Sequence, residues 1–229
     1  YDFIAQIYEP PFQYHYLKRP YQLTPLTAIA VPEPVYLDAH GVRLPRNVPA
    51  ERIAFSVYEV RIRSGILYQP HPAFARGADG VLRYHALTER DIKDRNTIAD
   101  FHETGTRELV AADYVYQIKR LAHPRLHSPI LSVMVEHIVG LKDFAVRLQD
   151  AVRGHEGVYL DITQYDLPGV EVVDRYTYRV TIRGKYPQFL YWMAMPFFAP
   201  MPPEVDRFFS LPGMAAKNLT LDWYPVGTG

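Results

Sequence analysis

Proline sets the limits on this chain. There are 20 prolines among 229 residues, so connections are many, irregular and pre-set in φ. Pro20, Pro25, Pro32 and Pro34 punctuate residues 18–34, which read as extended, irregular chain. The densest apolar stretch, 189–201, is broken by Pro196 and Pro200, and no run is long enough to span a bilayer. Regular elements must fit between these breaks. The most clearly bounded is 105–124, GTRELVAADYVYQIKRLAHP. A Gly-Thr turn feeds an amphipathic run in which Ala112, Val115, Ile118, Leu121 and Ala122 recur at helical spacing. Glu108 and Asp113 precede Lys119, Arg120 and His123, in the order the helix dipole favours. Pro124 stops the ladder near Ala122 or His123, and a surface helix is expected.

Strands are read from period-two alternation. Phe12, Tyr14 and Tyr16 suit one strand. Residues 35–37 and 54–63 suit an antiparallel pair, with Tyr58, Val60 and Ile62 inward and Glu59, Arg61 and Arg63 outward. The turn signal Asp38-Ala39-His40-Gly41 follows the first. Residues 170–183 form the clearest hairpin, turning at Asp174-Arg175 with Tyr176, Tyr178, Val180 and Ile182 on one face. Thr88 and Thr97 are placed to cap short helices. Residues 128–152 read as one or two helices divided near Gly140, with Phe144 and Leu148 on the second part. A short apolar helix is expected over 187–195, and another begins at Pro203 and runs through Phe209. Phe3 and Ile7 suit a short helix ending before Pro10.

Composition narrows the chemistry. Lys plus Arg and Asp plus Glu both number 25, so there is no basic field to gather nucleic acid or an anionic membrane surface. Basic residues alternate with apolar ones on strands, as on wet sheet faces. With no Cys there is no thiol nucleophile, disulfide or thiolate metal site. His123 and His127 are four apart, but Pro124 breaks the helix that would align them on a metal. His15, His71, His85, His102 and His137 lack ligand spacing and read as surface or capping residues. No phosphate loop, dinucleotide fingerprint or nucleophile elbow occurs. No catalytic residue, cofactor or metal is expected. The 18 tyrosines suit half-buried sheet positions, or a ligand cleft that must be both apolar and hydrogen-bonding.

Several stretches, taken in order, resemble the family-5 extracellular solute-binding proteins, the dipeptide and oligopeptide type that serve ABC importers. IYEPPFQYHY (7–16), followed by Pro25-Leu26-Thr27-Ala28, is similar to that family's early helix and strand and its Pro-rich segment. SVYEVRIRSGILY (56–68) is similar to its strand, with Arg63 and Gly65 at the Arg and Gly of the pattern. In 105–124, Gly105, Thr106, Leu109, Ala111, Asp113, Val115, Tyr116, Arg120, Leu121 and Pro124 match. Residues 172–205 and the closing PVGTG (225–229) resemble later parts of the pattern. Val110 departs from it: a Val stands where the family has a capping Thr, at a loss of about 1 kcal/mol, so Asp113 and the Arg107-Glu108 turn must do more. Residues 72–104 read as an insertion, an extra lid or ornament.

The resemblance implies an α+β (mixed α/β) fold, a small accessory subdomain plus part of lobe I of a periplasmic binding protein-like II fold. Residues 1–34 would lead from the large lobe, 35–185 would form the accessory subdomain, and 186–229 would return toward the large lobe. The chain is then expected to be an N-terminal fragment whose second, C-terminal lobe is missing. It further implies a periplasmic location, a peptide or similar solute, delivery to an ABC permease in the inner membrane, and no nucleic-acid partner. Nickel complexes, heme and sugars are other solutes the family carries. After Ser128-Pro129, Ile130 stands where some peptide binders touch the ligand, and it can offer only apolar contact. Two other classes stand beside this reading: a hydrolase, for which no nucleophile–base pair is visible, and a protein–protein interaction module using a Tyr-rich face.

Overall fold

A computed structural model of the chain describes residues 6–155 and 157–229. Two antiparallel sheets are present. Strands β1 (Phe12–Tyr14) and β2 (Leu23–Pro25) form a two-stranded ribbon with Gln13 opposite Thr24. Tyr16 falls outside β1, and the segment 18–34, expected to be irregular throughout, contributes β2. Four further strands, β3 (Val35–Leu37), β4 (Phe55–Arg61), β5 (Val170–Asp174) and β6 (Thr177–Arg183), lie in the order β3-β4-β6-β5. The register sets Tyr58 opposite Val180 and Val60 opposite Tyr178. The alternation dictates the two faces: Tyr58, Val60, Ile62, Tyr178, Val180 and Ile182 are buried, while Glu59, Arg61 and Arg63 are exposed. The β5–β6 turn falls at Arg175-Tyr176, one residue later than expected, because the Asp174 carboxylate accepts from the Tyr176 N–H (2.8 Å) and closes the turn there. Asp38 makes the expected turn after β3, its Oδ1 accepting from the N–H groups of His40 and Val42.

The described helices are α1 (Glu89–Ile92), α2 (Ala111–Arg120), α3 (Leu131–His137), α4 (Leu141–Val152), α5 (Phe189–Trp192) and α6 (Pro203–Phe209); α2 lies against β5 and β6, α3 against β6, and Phe189 of α5 against Tyr58 of β4. Gly140 separates α3 from α4 at φ 77°, a conformation open to glycine at little cost. On α4, Leu141, Phe144 and Leu148 recur on one stripe and are fully buried. The helix expected to include Phe3 lies largely outside the described residues. Among them, no helix is long and apolar enough to cross a membrane.

The helix α2 is not the surface helix its pattern suggests. Residues 113–118 are all buried, Asp113 and Gln117 included, whereas Ala112, assigned to the apolar stripe, is exposed. The reason lies in its two neighbours. On one side Tyr114 stacks on Tyr178 of β6 (5.1 Å, 10°), and the Ala111 N–H donates to the Arg175 carbonyl (2.9 Å). On the other, Gln117 donates to the Phe197 carbonyl and Tyr116 to Asp206 of α6. A helix held between a sheet and the chain returning from it needs apolar or satisfied polar groups all round. Val110 offers no capping oxygen. Asp113 supplies only the other half of a capping box, accepting from the Val110 N–H at 3.0 Å while taking two bonds from Arg107 (2.5 and 3.1 Å).

Segment 72–104 packs against α6. His71 and Gly105 pair as a short antiparallel bridge, and a side chain at Gly105 would fall on the Phe74 carbonyl oxygen. Thr88 and Thr97 begin short helical turns as expected, each giving its N–H to the carboxylate three residues on, Asp91 and Asp100.

Candidate functional site

The helix α2 also lines a cleft. Gln117 and Arg120, three apart and so on one helix face, reach the same space. The cleft holds about 570 Å³, within the range of small-ligand sites. Ile7 and Tyr8 form one wall, Pro196, Phe197, Ala199 and Met201 another, and Leu221, Asp222 and Pro225 a third. The prolines fix those walls: Pro196 opens a single 3-10 turn (Pro196–Phe198), and the segment returning from α5 cannot become a longer helix.

The polar groups differ in how they are used. Arg120 donates from Nε to Asp206 at 2.6 Å, and Tyr116 donates to the same oxygen at 3.0 Å. Burial opposes the Arg120 charge, but the Asp206 carboxylate outweighs it and raises the guanidinium pKa. Burial also pushes the Tyr8 hydroxyl up, so it remains a neutral phenol. Gln117 is 8% exposed and gives its Nε2 to the Phe197 carbonyl at 2.9 Å, while its Oε1 is buried with no donor. Asp222 stands exposed at the rim. The cleft is thus an apolar trough with a buried acceptor in its floor and a carboxylate at its edge. Among its described lining residues no nucleophile stands beside a base.

Sequence-stated candidates fare differently. Ile130 immediately precedes α3, is 5% exposed, belongs to the core, and does not line this cleft. Next to it, the Ser128 hydroxyl is buried without a partner. His71 and His85 are not surface residues: both are buried, and they bracket one residue, Ala73. His71 Nδ1 accepts from the Ala73 N–H (3.1 Å), a capping contact, and His85 Nε2 meets the Ala73 carbonyl (2.9 Å). Burial pulls the His71 pKa down to about 4. Among the described residues no group of three or more His, Asp or Glu side chains is placed to hold a metal ion. Four tyrosines, Tyr58, Tyr68, Tyr114 and Tyr178, are fully buried and not half-buried. Gln117, Tyr8 and Asp222 were not singled out from sequence. The available signal was a Gln next to the apolar stripe of α2, three residues before an Arg.

No family model matches the chain, and no curated protein matches its sequence. Solved structures do match its fold. The ABC transporter-associated periplasmic binding protein DppA from Helicobacter pylori, in complex with the peptide STSA, matches over 99% of this chain at TM-score 0.51 and 16% identity. The pheromone receptor PrgZ, solved for its mode of peptide binding, matches over 90% at TM-score 0.50 and 14% identity. The chain spans 31% and 27% of the lengths of those two proteins. It therefore has the mixed α/β fold of one part, less than a third, of these peptide-binding solute receptors.

Proposed function

We propose that the chain is part of the solute-binding component of an ABC importer, working in the periplasm, binding a peptide and presenting it to a membrane permease. The observation that carries this is the fold match along 99% of the chain to a receptor solved with a peptide bound. The cleft beside α2 supports it, its volume of about 570 Å³ suiting a small ligand. In this reading residues 1–34 lead from a large lobe, 35–185 form an accessory subdomain with 72–104 inserted, and 186–229 return. A further lobe of the same protein closes over the solute, and the solute shifts that hinge by touching both sides. Ile130, at 5% exposure, can meet a ligand only at its edge and otherwise packs the core.

The test is the melting temperature of the protein carrying this chain together with its natural continuation, measured against peptide, sugar and metal-complex libraries. A peptide at a hundredfold its Kd should stabilise by about 2.7 kcal/mol. Stabilisation by a sugar or metal complex, with none from any peptide, would replace the peptide assignment. One observation favours a second reading as a protein-interaction module. Tyr14 lies 5.9 Å from both Tyr21 and Tyr191, beside a hairpin tip where Tyr16 is 87% and Leu17 78% exposed. Self-association or partner capture lost on Tyr16→Ser would support that reading.

A further inference from the structure

The cleft beside α2 also states which chemical group it takes. Gln117 cannot turn its amide over, because that would set Oε1 against the Phe197 carbonyl oxygen that Nε2 now serves. The Oε1 atom therefore stays a buried acceptor, and what it lacks is a donor. Arg120, the one cation among the described lining residues, gives its Nε to Asp206, where Tyr116 also donates, so its charge is already balanced by that carboxylate. Asp222 lines the same space and makes no ion pair to another described residue. The charge left for a ligand is accordingly negative, set among apolar walls that include Phe197 and Met201. A carboxylate entering here would meet Asp222 while the charge of Arg120 is already offset by Asp206, whereas an ammonium would find a carboxylate and an unused carbonyl oxygen among the lining residues.

We propose that this cleft binds a primary ammonium attached to a hydrophobic group, with its N–H donors on Gln117 Oε1 and Asp222 and its apolar part against Phe197 and Met201. If the solute is a peptide, this is the amino-terminal end of one whose first residue is large and apolar, a refinement that rests on the peptide reading above.

The test uses the chain itself and small probes, so that it stands apart from that reading. Isotope-labelled protein is titrated at neutral pH with 2-phenylethylamine, which is cationic, and with 3-phenylpropionate, which is anionic. The side-chain amide cross-peak of Gln117 is followed. The amine should move it in a saturable way, and the carboxylate at equal concentration should not. Asp222→Asn changes an exposed side chain and should weaken the amine at least about tenfold, the loss of roughly one charge-assisted contact. Gln117→Met removes the buried acceptor; amine binding, then read from the methyl resonances of Met201, should weaken similarly. Equal response to both probes, no response to either, or undiminished amine binding by Asp222→Asn would each overturn the proposal. A protein that binds the amine but is stabilised by no peptide would retain this site and lose the peptide reading.

Discussion

At the scale of single residues, the buried carboxylate of Asp113 carries the most structural weight. It is 1% exposed, accepts two bonds from Arg107, and caps α2 through the Val110 N–H. Arg107 also reaches Glu204 of α6 at 3.1 Å, so one cation joins the start of α2 to the start of α6. Removing one partner of a buried pair leaves the other uncompensated. Asp113→Ala should therefore cost about 3–5 kcal/mol in urea denaturation, and Asp113→Asn less, because its amide oxygen still serves Val110. A second carboxylate makes a pH-dependent contribution. Glu108 accepts from Arg175 (2.7 Å), the Gly65 N–H (2.7 Å) and Tyr176 (2.9 Å), and these bonds lower its pKa from the ordinary 4.5 to about 2. A depressed carboxylate stabilises the fold above its unfolded pKa and loses that contribution as the pH falls through the folded one. The urea midpoint of the wild type should exceed that of Glu108→Gln by a constant margin above about pH 4.5, and the margin should close toward about pH 2. A margin unchanged across that window would show that the three donors do not favour the ionised form. Both roles were half legible. The missing Thr cap at Val110 pointed to Asp113, but which arginine pairs with which carboxylate depends on where α6 returns, and no local pattern carries that.

At the scale of elements, the strands of the four-stranded sheet and the caps at Thr88 and Thr97 followed from the sequence, whereas β2 and the burial of α2 did not. Alternation in 55–61 and 177–183 assigns the buried face correctly, because sheet geometry has a period of two and each side chain has only two sides to choose from; Thr177, buried on the other face, is the exception. The helix α2 misleads for the opposite reason: its period reports the most apolar stripe, and the chain covers the rest with Phe197, Asp206 and the β5–β6 turn. Segment 72–104 was illegible as a packing unit because the rings that dock it on α6, His71 just before it and Phe101 near its end, belong to no periodic pattern. His71 meets Phe208 at 5.3 Å and Phe209 at 5.4 Å, while Phe101 meets Phe208 at 5.0 Å. Fully buried Phe208 is the common contact, and Phe208→Ala should cost about 3–5 kcal/mol. Hydrogen exchange should then rise first in 72–104, because that segment docks on α6 through this ring. Exchange that rose uniformly would mean the segment holds itself in place by other means. The cleft escaped the sequence on similar grounds: its walls come from residues 7–8, 196–201 and 221–225, brought together only when the chain returns past α2.

At the scale of the whole molecule, the open matter is whether segments 1–34, 35–185 and 186–229 fold as one. The contacts point to a single cooperative unit. One continuous core includes Phe12 and Ala28 from the first, Tyr58, Tyr114 and Phe144 from the second, and Phe189, Val205 and Val226 from the third. Polar bonds cross the same boundaries. Thr27 and Tyr114 share a hydroxyl pair at 2.5 Å, Thr228 donates to the Ile7 carbonyl (3.1 Å) and to Glu9 (2.9 Å), and Gln69 donates to the Gly227 carbonyl (3.0 Å). An accessory unit detached from the outer segments would have to expose Tyr114 and break these bonds, so its separate unfolding should cost nearly as much as unfolding everything. The two tryptophans make this measurable. Trp192 on α5 is partly buried, with Nε1 donating to the Tyr186 hydroxyl at 3.0 Å, whereas Trp223 is largely exposed, so the change in fluorescence on unfolding reports mainly on Trp192 in the third segment. Far-UV circular dichroism reports mainly on α1 to α4 of the second, the two helices of the third being short. In urea the two signals should share one midpoint and one slope, and Val226→Ala should lower both midpoints together. A Trp192 transition that comes first, leaving the circular dichroism intact, would make 35–185 a unit in its own right, with the cleft beside α2 lying across a joint that can open.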